Sequence, residues 1–123
     1  MSKQQKHIIV AEDDAFLLGI MGRVLSSHDV RVSKARNGRE AIDIIAKDPP
    51  DLLFLDLLMP QVDGYAVLQY RNDKKLKFPV VVSSNLSDKA TICKCDDFDV
   101  NEYVIKSDLD DDQIWTIAEK YLV

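Results

Sequence analysis

Five short apolar runs recur along the chain, each followed by a polar break and then by a segment of helical spacing. The runs cover residues 8–11, 30–35, 52–55, 80–82 and 103–105. Four of them are continuous and rich in aliphatic residues, which is typical of strands buried on both faces of a parallel sheet. The run 30–35 alternates apolar and polar residues instead, which indicates a strand nearer an edge of that sheet.

The segments after these runs place apolar residues three or four apart, which predicts amphipathic helices. The first and last segments have apolar faces formed by Leu17, Leu18, Met21, Val24 and Leu25 and by Ile114, Ile117, Ala118, Tyr121 and Leu122. Asn37 is the predicted N-cap of the second helix, with Glu40 as its capping-box acid. A weaker third helix starts near Tyr65, and Ser87 opens a fourth. This alternation predicts a single doubly wound (βα)5 α/β domain, with a five-stranded parallel sheet and helices on both faces.

The length and charge of the chain limit the number of domains and the kinds of partner that we expect. We expect residues 1–123 to form one domain, with residues 1–6 as a flexible N-terminal tail. The net charge of -5 disfavours direct binding to nucleic acid or to an anionic membrane. No apolar run reaches the length of a secretion signal or a membrane span, so we expect a cytoplasmic protein. Cys93 and Cys95 are expected to be unpaired thiols.

Polar side chains follow four of the predicted strands at their carboxyl ends. Glu12, Asp13 and Asp14 follow the first strand, Asp56 the third, Ser83 and Ser84 the fourth, and Lys106 the fifth. The carboxyl ends of parallel strands meet at one edge of the sheet, and ligands bind outside that edge. We therefore expect four carboxylates and one ammonium group to converge there.

Such a cluster lowers the stability of the fold, so its presence indicates a chemical function. Two carboxylates about 4 Å apart repel by roughly 4 kcal/mol at an effective dielectric constant near 20. A hard divalent cation relieves this repulsion, and acidic oxygens without His or Cys favour Mg²⁺ over zinc. Lys106 can pair with a carboxylate or a phosphoryl group, and Ser84 can donate to a phosphoryl oxygen. Asp56, beside a metal and a cation, is the candidate nucleophile toward phosphorus.

Each of these residues also has an ordinary structural explanation. An acidic triplet before a helix is usually a solvated first turn stabilised by the helix dipole. An Asp after a strand is usually a turn former, and a Lys in that place is usually solvated. The chemical interpretation therefore depends on their joint position at one edge of one sheet.

Four stretches of the sequence together resemble the receiver domain of two-component response regulators, the CheY-like family. They are Val10-Ala11-Glu12-Asp13-Asp14, residues 51–60 with Asp63-Gly64 after them, residues 79–84, and Tyr103-Val104-Ile105-Lys106. The resemblance covers nearly the whole chain. It implies a flavodoxin-like fold with strand order 2-1-3-4-5.

The resemblance also implies a role for each site residue. Asp56 is similar to the phosphoacceptor, and it would hold Mg²⁺ together with Glu12, Asp13 and the backbone carbonyl of Leu58, with Asp14 as an accessory acid.

Three further residues match the family's signalling elements. Lys106 corresponds to the family's lysine, Ser84 to its switch hydroxyl and Tyr103 to its rotating aromatic residue. A sensor histidine kinase or a histidine phosphotransfer protein would supply the phosphoryl group. The surface of the fourth helix, fifth strand and fifth helix would then change and control a downstream effector or an output domain. Two copies of the chain could also pair through this surface. The implied protein is a signalling domain rather than an enzyme, and it either stands alone or belongs to a longer chain.

Three residues depart from the family's usual pattern. Ser107 follows Lys106 where the family usually has Pro after a cis bond, and a cis bond before a non-proline residue costs about 2.5 to 4 kcal/mol, so the isomer is left open. Asn85 replaces a very small residue after Ser84 and is accessory to the site, where it either crowds the phosphoryl group or hydrogen-bonds to it. Asp99 replaces Gly in the turn before the fifth strand, at a modest expected cost because Asp tolerates left-handed geometry.

Two other functions remain open. The departures are compatible with a degenerate receiver that binds a protein without being phosphorylated. A Mg²⁺ phosphohydrolase of the haloacid dehalogenase type also uses a strand-end Asp nucleophile, but it needs a second Asp two residues on, where Leu58 stands. Leu58 and Leu86 should flank the path of water to the phosphoryl group and cannot orient water. Slow autodephosphorylation is therefore expected.

Overall fold

A computed structural model describes residues 5–59, 61–84 and 98–122. The strands are Lys6–Ala11 (β1), Val30–Ala35 (β2), Leu52–Leu55 (β3), Val80–Ser84 (β4) and Glu102–Ile105 (β5). The helices are Ala15–Ser26 (α1), Gly38–Lys47 (α2), Gly64–Asp73 (α3) and Asp111–Tyr121 (α4), and a short 3-10 helix covers Lys106–Asp108. None of the helices in these ranges is long and apolar enough to cross a membrane.

The five strands form one parallel sheet in the order β2-β1-β3-β4-β5, which confirms the expected fold. Three strand boundaries differ from those expected, and β5 begins one residue early, at Glu102. Lys6 lies in β1 and not in an N-terminal tail, because it pairs with Val30 of β2. Ser84 lies within β4 and not after it, because it pairs with Ile105. The helix expected from Ser87 and both cysteines lie outside the described residues, so α4 is the fifth helix that the sequence predicts.

Side chains along each strand alternate between two apolar cores, one on each face of the sheet. Ile9 and Ala11 of β1 contribute to the core completed by α2 and α3, whereas Ile8 and Val10 contribute to the core completed by α1 and α4. The buried helix residues are Ala41, Ile45, Val67 and Leu68 in the first core and Leu18, Met21, Leu25, Ile114, Ile117 and Ala118 in the second. Burial on both faces explains why continuous apolar runs predicted these strands.

Polar caps fix the starts of the helices near the carboxyl edge of the sheet. Asp14 Oδ1 accepts hydrogen bonds from two backbone N–H groups in the first turn of α1, at 3.0 and 3.3 Å. Asn37 Oδ1 accepts from the Glu40 N–H at 2.8 Å, which confirms the predicted cap of α2. The predicted capping box is wrong in one detail. Glu40 Oε1 accepts from the Arg36 N–H at 2.7 Å, one residue before the cap.

A buried arginine holds the turn that leads into β5. Arg71 donates from Nε and Nη2 to the Phe78 carbonyl oxygen at 3.0 and 2.7 Å, and from Nη1 to the Phe98 carbonyl oxygen at 3.0 Å. Asp99 follows with a φ of 59°, the left-handed geometry expected where the family usually has Gly. One guanidinium group therefore ties the start of β4 to the turn before β5.

Gly64 allows α3 to begin against the segment that carries Asp56. A Cβ at this position would overlap the Asp56 carbonyl oxygen and lie 2.7 Å from Leu57 Cα. The Gly64 N–H also donates to the Leu57 carbonyl oxygen at 2.9 Å. Only a residue without a side chain permits this approach.

The variant Gly64→Ala should lower the free energy of unfolding by about 1 to 3 kcal/mol, because backbone atoms must shift to admit the methyl group. Gly19→Ala in α1 is the matched control, since a Cβ there meets nothing within 4 Å. It should raise the free energy of unfolding by up to about 1 kcal/mol, because alanine favours a helix interior. Urea unfolding measures both, and equal stabilities would contradict the close approach at Gly64.

Candidate functional site

The register of the sheet brings three charged residues to one edge. Ala11 of β1 pairs with Leu55 of β3, so the residues that follow them, Glu12 and Asp56, are neighbours. Lys106 directly follows β5 at the same edge. The Asp56 N–H donates to the Ala11 carbonyl oxygen at 3.0 Å, which holds the backbone of this carboxylate in the sheet.

The Lys106 ammonium group bridges two buried carboxylates. Its Nζ lies 2.8 Å from Glu12 Oε2 and 2.9 Å from Asp56 Oδ2. Glu12 and Asp56 are 1% and 2% exposed, so water screens these contacts weakly. The Lys106–Ser107 bond is trans, as the described residues contain no cis peptide bond.

Burial sets the direction of the pKa shift for the two carboxyls of the trio formed by Glu12, Asp56 and Lys106. It raises the pKa of the Glu12 carboxyl to about 7, although the hydrogen bond from Lys106 opposes the shift. It also raises the pKa of Asp56 against the same opposing contact. Burial acts to lower the pKa of Lys106, but its hydrogen bonds to Glu12 and Asp56 outweigh burial and the net pKa is raised. Two acids share one cation, so the trio is left with excess negative charge when both are ionised.

The carboxylate oxygens of the site fit a metal cation. Both oxygens of the buried Glu12 carboxylate lie 2.8 Å from Lys106 Nζ, and Oε1 keeps a lone pair that this contact does not use. One carboxylate oxygen each from Glu12, Asp13 and Asp56 lies within 4.8 Å of the other two. This set of oxygens, with its excess negative charge, fits a hard cation such as Mg²⁺.

Asp14 has a different place from the other three acids. Its carboxylate caps α1, and its backbone N–H donates to Glu12 Oε2 at 3.1 Å. The structure therefore brings together three of the four expected carboxylates. The fourth stabilises the helix start and helps to orient Glu12.

Leu58 contributes a contact to Asp56 that is not among the sequence predictions. Its backbone N–H donates to Asp56 Oδ1 at 3.2 Å, while its side chain is 57% exposed. Both oxygens of Asp56 are thus engaged, one by Leu58 and the other by Lys106. A signal for this contact was present, because Asp side chains commonly bind the backbone two residues on.

The two predicted switch residues lie on neighbouring strands. Ser84 is buried at the end of β4 and pairs with Ile105. Tyr103 is half-buried on β5, pairs with Val82 and packs against the core of α2 and α3. The accessory residue Asn85 lies outside the described residues.

Comparison with known proteins places the chain in a family. A family model described as the response regulator receiver domain matches residues 8–119. The chain belongs to this family. Receiver domains of this CheY-like kind are signalling modules of two-component systems rather than members of a catalytic family.

Two curated relatives are longer than this chain, which matches only part of each. A protein named "Probable transcriptional regulator ycf27" from Porphyridium aerugineum is 32% identical over 103 residues, which cover 84% of this chain and 42% of that protein. A protein-glutamate methylesterase/protein-glutamine glutaminase 1 from Syntrophomonas wolfei is 36% identical over 89 residues, or 71% of this chain and 25% of that protein. The receiver domain therefore spans less than half the length of either relative.

Solved structures agree on the fold. A CheY-like response regulator receiver domain protein from Methanospirillum hungatei superimposes with a TM-score of 0.87 and covers 96% of this chain and 94% of that one. The sequence identity is 18%, so this likeness bears on the fold alone.

The stability of the metal-free receiver domain should depend on pH through Glu12. The folded pKa of Glu12 is about 7 against 4.5 for the free side chain, so the folded state holds this proton more tightly. Raising the pH through this window therefore lowers the free energy of unfolding. Glu12→Gln has no such charge, and its stability relative to the wild type should rise by roughly 1 to 3 kcal/mol between about pH 5 and about pH 8. Urea unfolding with a chelator present measures this difference, and a difference that is constant with pH would contradict the burial of an ionising Glu12.

Proposed function

We propose that this receiver domain accepts a phosphoryl group on Asp56 from the phosphohistidine of a sensor histidine kinase or a histidine phosphotransfer protein, in a Mg²⁺-dependent reaction. The observation that supports it best is the Asp56 carboxylate itself. It is buried at the carboxyl edge of the sheet and hydrogen-bonded to Lys106, and one of its oxygens lies within 4.8 Å of carboxylate oxygens of Glu12 and Asp13.

The proposed chemistry is nucleophilic attack by an Asp56 oxygen on phosphorus. The P–N bond of the phosphohistidine breaks, its electron pair returns to the imidazole nitrogen, which is then protonated, and a new P–O bond forms on Asp56. Lys106 stabilises the ionised carboxylate before the reaction and can pair with a phosphoryl oxygen after it. Ser84, at the end of β4, would donate its hydroxyl to another phosphoryl oxygen.

Glu12, Asp13, Asp56 and the backbone carbonyl of Leu58 would hold Mg²⁺, which supplies positive charge against the carboxylates and the incoming phosphoryl oxygens. The oxygen-only donor set and its excess negative charge support this assignment. Asp14 remains accessory through its N–H contact to Glu12.

The signal would leave the site through β5. Ser84 pairs with Ile105, and Tyr103 lies two residues earlier on the same strand, so a shift of the hydroxyl toward the phosphoryl group has a short path to the aromatic ring. The affected surface comprises β5, α4 and the helix expected from Ser87. We infer that this surface meets an effector, an output domain or a second copy of the chain, in the cytoplasm and without direct contact to nucleic acid or membrane by this domain.

Acetyl phosphate with Mg²⁺ should add one phosphoryl group to the chain, and intact-mass measurement detects it. Asp56→Asn should abolish the addition because the nucleophile is gone. Asp43→Asn, on the exposed face of α2, is the matched control and should be modified like the wild type. A chelator should also prevent the reaction. Size-exclusion chromatography of the unmodified and the phosphorylated chain tests whether two copies pair.

Failure of the wild-type chain to take up phosphorus would favour the degenerate receiver, which binds a protein without phosphorylation. Modification that survives in Asp56→Asn would place the acceptor elsewhere. Turnover of a small phosphate ester would instead favour a phosphohydrolase.

The phosphoryl group should be long-lived because Leu58, whose backbone N–H contacts Asp56, has an exposed apolar side chain that cannot orient an attacking water. Leu58→Asn supplies a polar amide that can orient the attacking water, so it should speed dephosphorylation. Leu58→Ala separates the loss of shielding from the gain of the amide. The decay of the phosphorylated protein in Mg²⁺ measures the rate, and equal rates for Leu58→Asn and the wild type would rule out this role.

A further inference from the structure

A groove between α1 and the end of β2 shares no residue with the candidate site. It contains a cavity of about 250 Å³. The residues that line this cavity come from α1, from the end of β2 and from the first turn of α2: Ala15, Leu18, Gly19, Lys34, Arg36 and Glu40. Cavities for drug-sized ligands commonly measure about 300 to 1,000 Å³, so this groove has room for a small metabolite or an ion.

Two glycines in the interior of α1 differ in their surroundings. A Cβ at Gly22 would overlap Cε of Lys34, whose side chain lies across the helix at this point. A Cβ at Gly19 would meet nothing within 4 Å among the described residues. Glycine in a helix interior costs about 1 kcal/mol relative to alanine. The packing of the described residues therefore explains Gly22 but not Gly19, whose missing side chain keeps the groove open.

Two cationic side chains line the same cavity. Lys34 lies on β2, and Arg36 directly follows this strand. Neither forms an ion pair with a described residue. The acid in the lining, Glu40, accepts the backbone N–H of Arg36 at 2.7 Å and leaves the guanidinium group unpaired. The groove therefore has a net positive charge, although the whole chain has a net charge of -5.

We propose that this groove binds a small oxyanion of metabolite size, a phosphate monoester or a carboxylate, between Lys34 and Arg36. A guanidinium group can donate two parallel hydrogen bonds to a phosphate or a carboxylate, and an ammonium group adds a second positive charge. The space at Gly19 would admit the body of the ligand. This inference does not depend on phosphorylation of Asp56.

Amide proton–nitrogen NMR spectra of the metal-free chain test the groove, because glycine amides resonate in a region of their own. Glycerol 3-phosphate and malate are titrated separately at constant ionic strength, with sodium chloride as the reference. The Gly19 and Gly22 amides should shift and saturate with a dissociation constant of about 1 mM, the affinity that two charge-assisted contacts can supply. The Gly64 amide, beside Asp56, should not shift, because the carboxylates of the candidate site repel anions without Mg²⁺.

Charge variants test the two cations. Arg36→Gln and Lys34→Gln should each weaken binding by about tenfold or more, since each removes a charge-assisted contact. Glu40→Gln should strengthen binding, because it removes the negative charge beside the anion and keeps an oxygen for the Arg36 N–H. Lys47→Gln is the matched control, on an exposed cation in the last turn of α2, and should bind like the wild type.

Gly19→Leu tests the groove without removing a charge. Its side chain should fill the cavity and abolish binding. The variant should still fold, because a Cβ at this position meets nothing within 4 Å and leucine favours a helix. Urea unfolding confirms that the variant is folded before binding is compared.

The outcomes separate this groove from the candidate site. Shifts confined to Gly64 would place the anion beside Asp56 and overturn the proposal, and so would shifts at Gly19 that sodium chloride reproduces. Absence of shifts with both probes, or unchanged binding by Arg36→Gln or by folded Gly19→Leu, would overturn it as well. Tighter binding of glycerol 3-phosphate than of malate would assign the groove to phosphate monoesters, and the reverse order would assign it to carboxylates.

Discussion

The hydrogen bonds from one ammonium group to two buried carboxylates are the interaction on which this site depends. Glu12 and Asp56 are almost fully removed from water, and either carboxylate would be strongly disfavoured there without the Lys106 cation. The cation neutralises only one of the two charges. The remaining negative charge makes the edge receptive to a metal cation.

The backbone, and not the trio itself, holds these groups in place. The parallel register sets Glu12 beside Asp56, and the start of α3 can approach Asp56 only because Gly64 lacks a side chain. Two apolar cores, one on each face of the sheet, stabilise the fold independently of this edge. The raised pKa values of the Glu12 and Asp56 carboxyls show that the ionised cluster does not stabilise the fold. The fold can contain this cluster because the two cores supply the stability.

Much of the fold followed from the sequence, because strands buried on both faces leave continuous apolar runs and helices leave a spacing of three or four. The less certain points were those that depend on a single local contact. Glu40 could have bonded to either of two neighbouring N–H groups, and its spacing from Asn37 could not decide between them. Lys6 belongs to β1 because it pairs with the first residue of β2. The polar side chain of Lys6 gives no sign of this pairing. The strand order came from a family resemblance, since alternation alone is compatible with several orders.

For the site, the charged residues that meet at the edge were readable in the sequence: acids after the first and third strands and a lysine after the fifth. Their position at strand ends was enough to predict that they meet, because parallel strands share one carboxyl edge. Only the tertiary structure decided which contacts each residue makes. It assigned Lys106 to both Glu12 and Asp56, turned Asp14 aside to cap α1, and directed the Leu58 N–H to Asp56 while leaving its side chain in solvent. These outcomes depend on distances between segments far apart in the chain and on how deeply each group is buried, and neither quantity is encoded in local spacing.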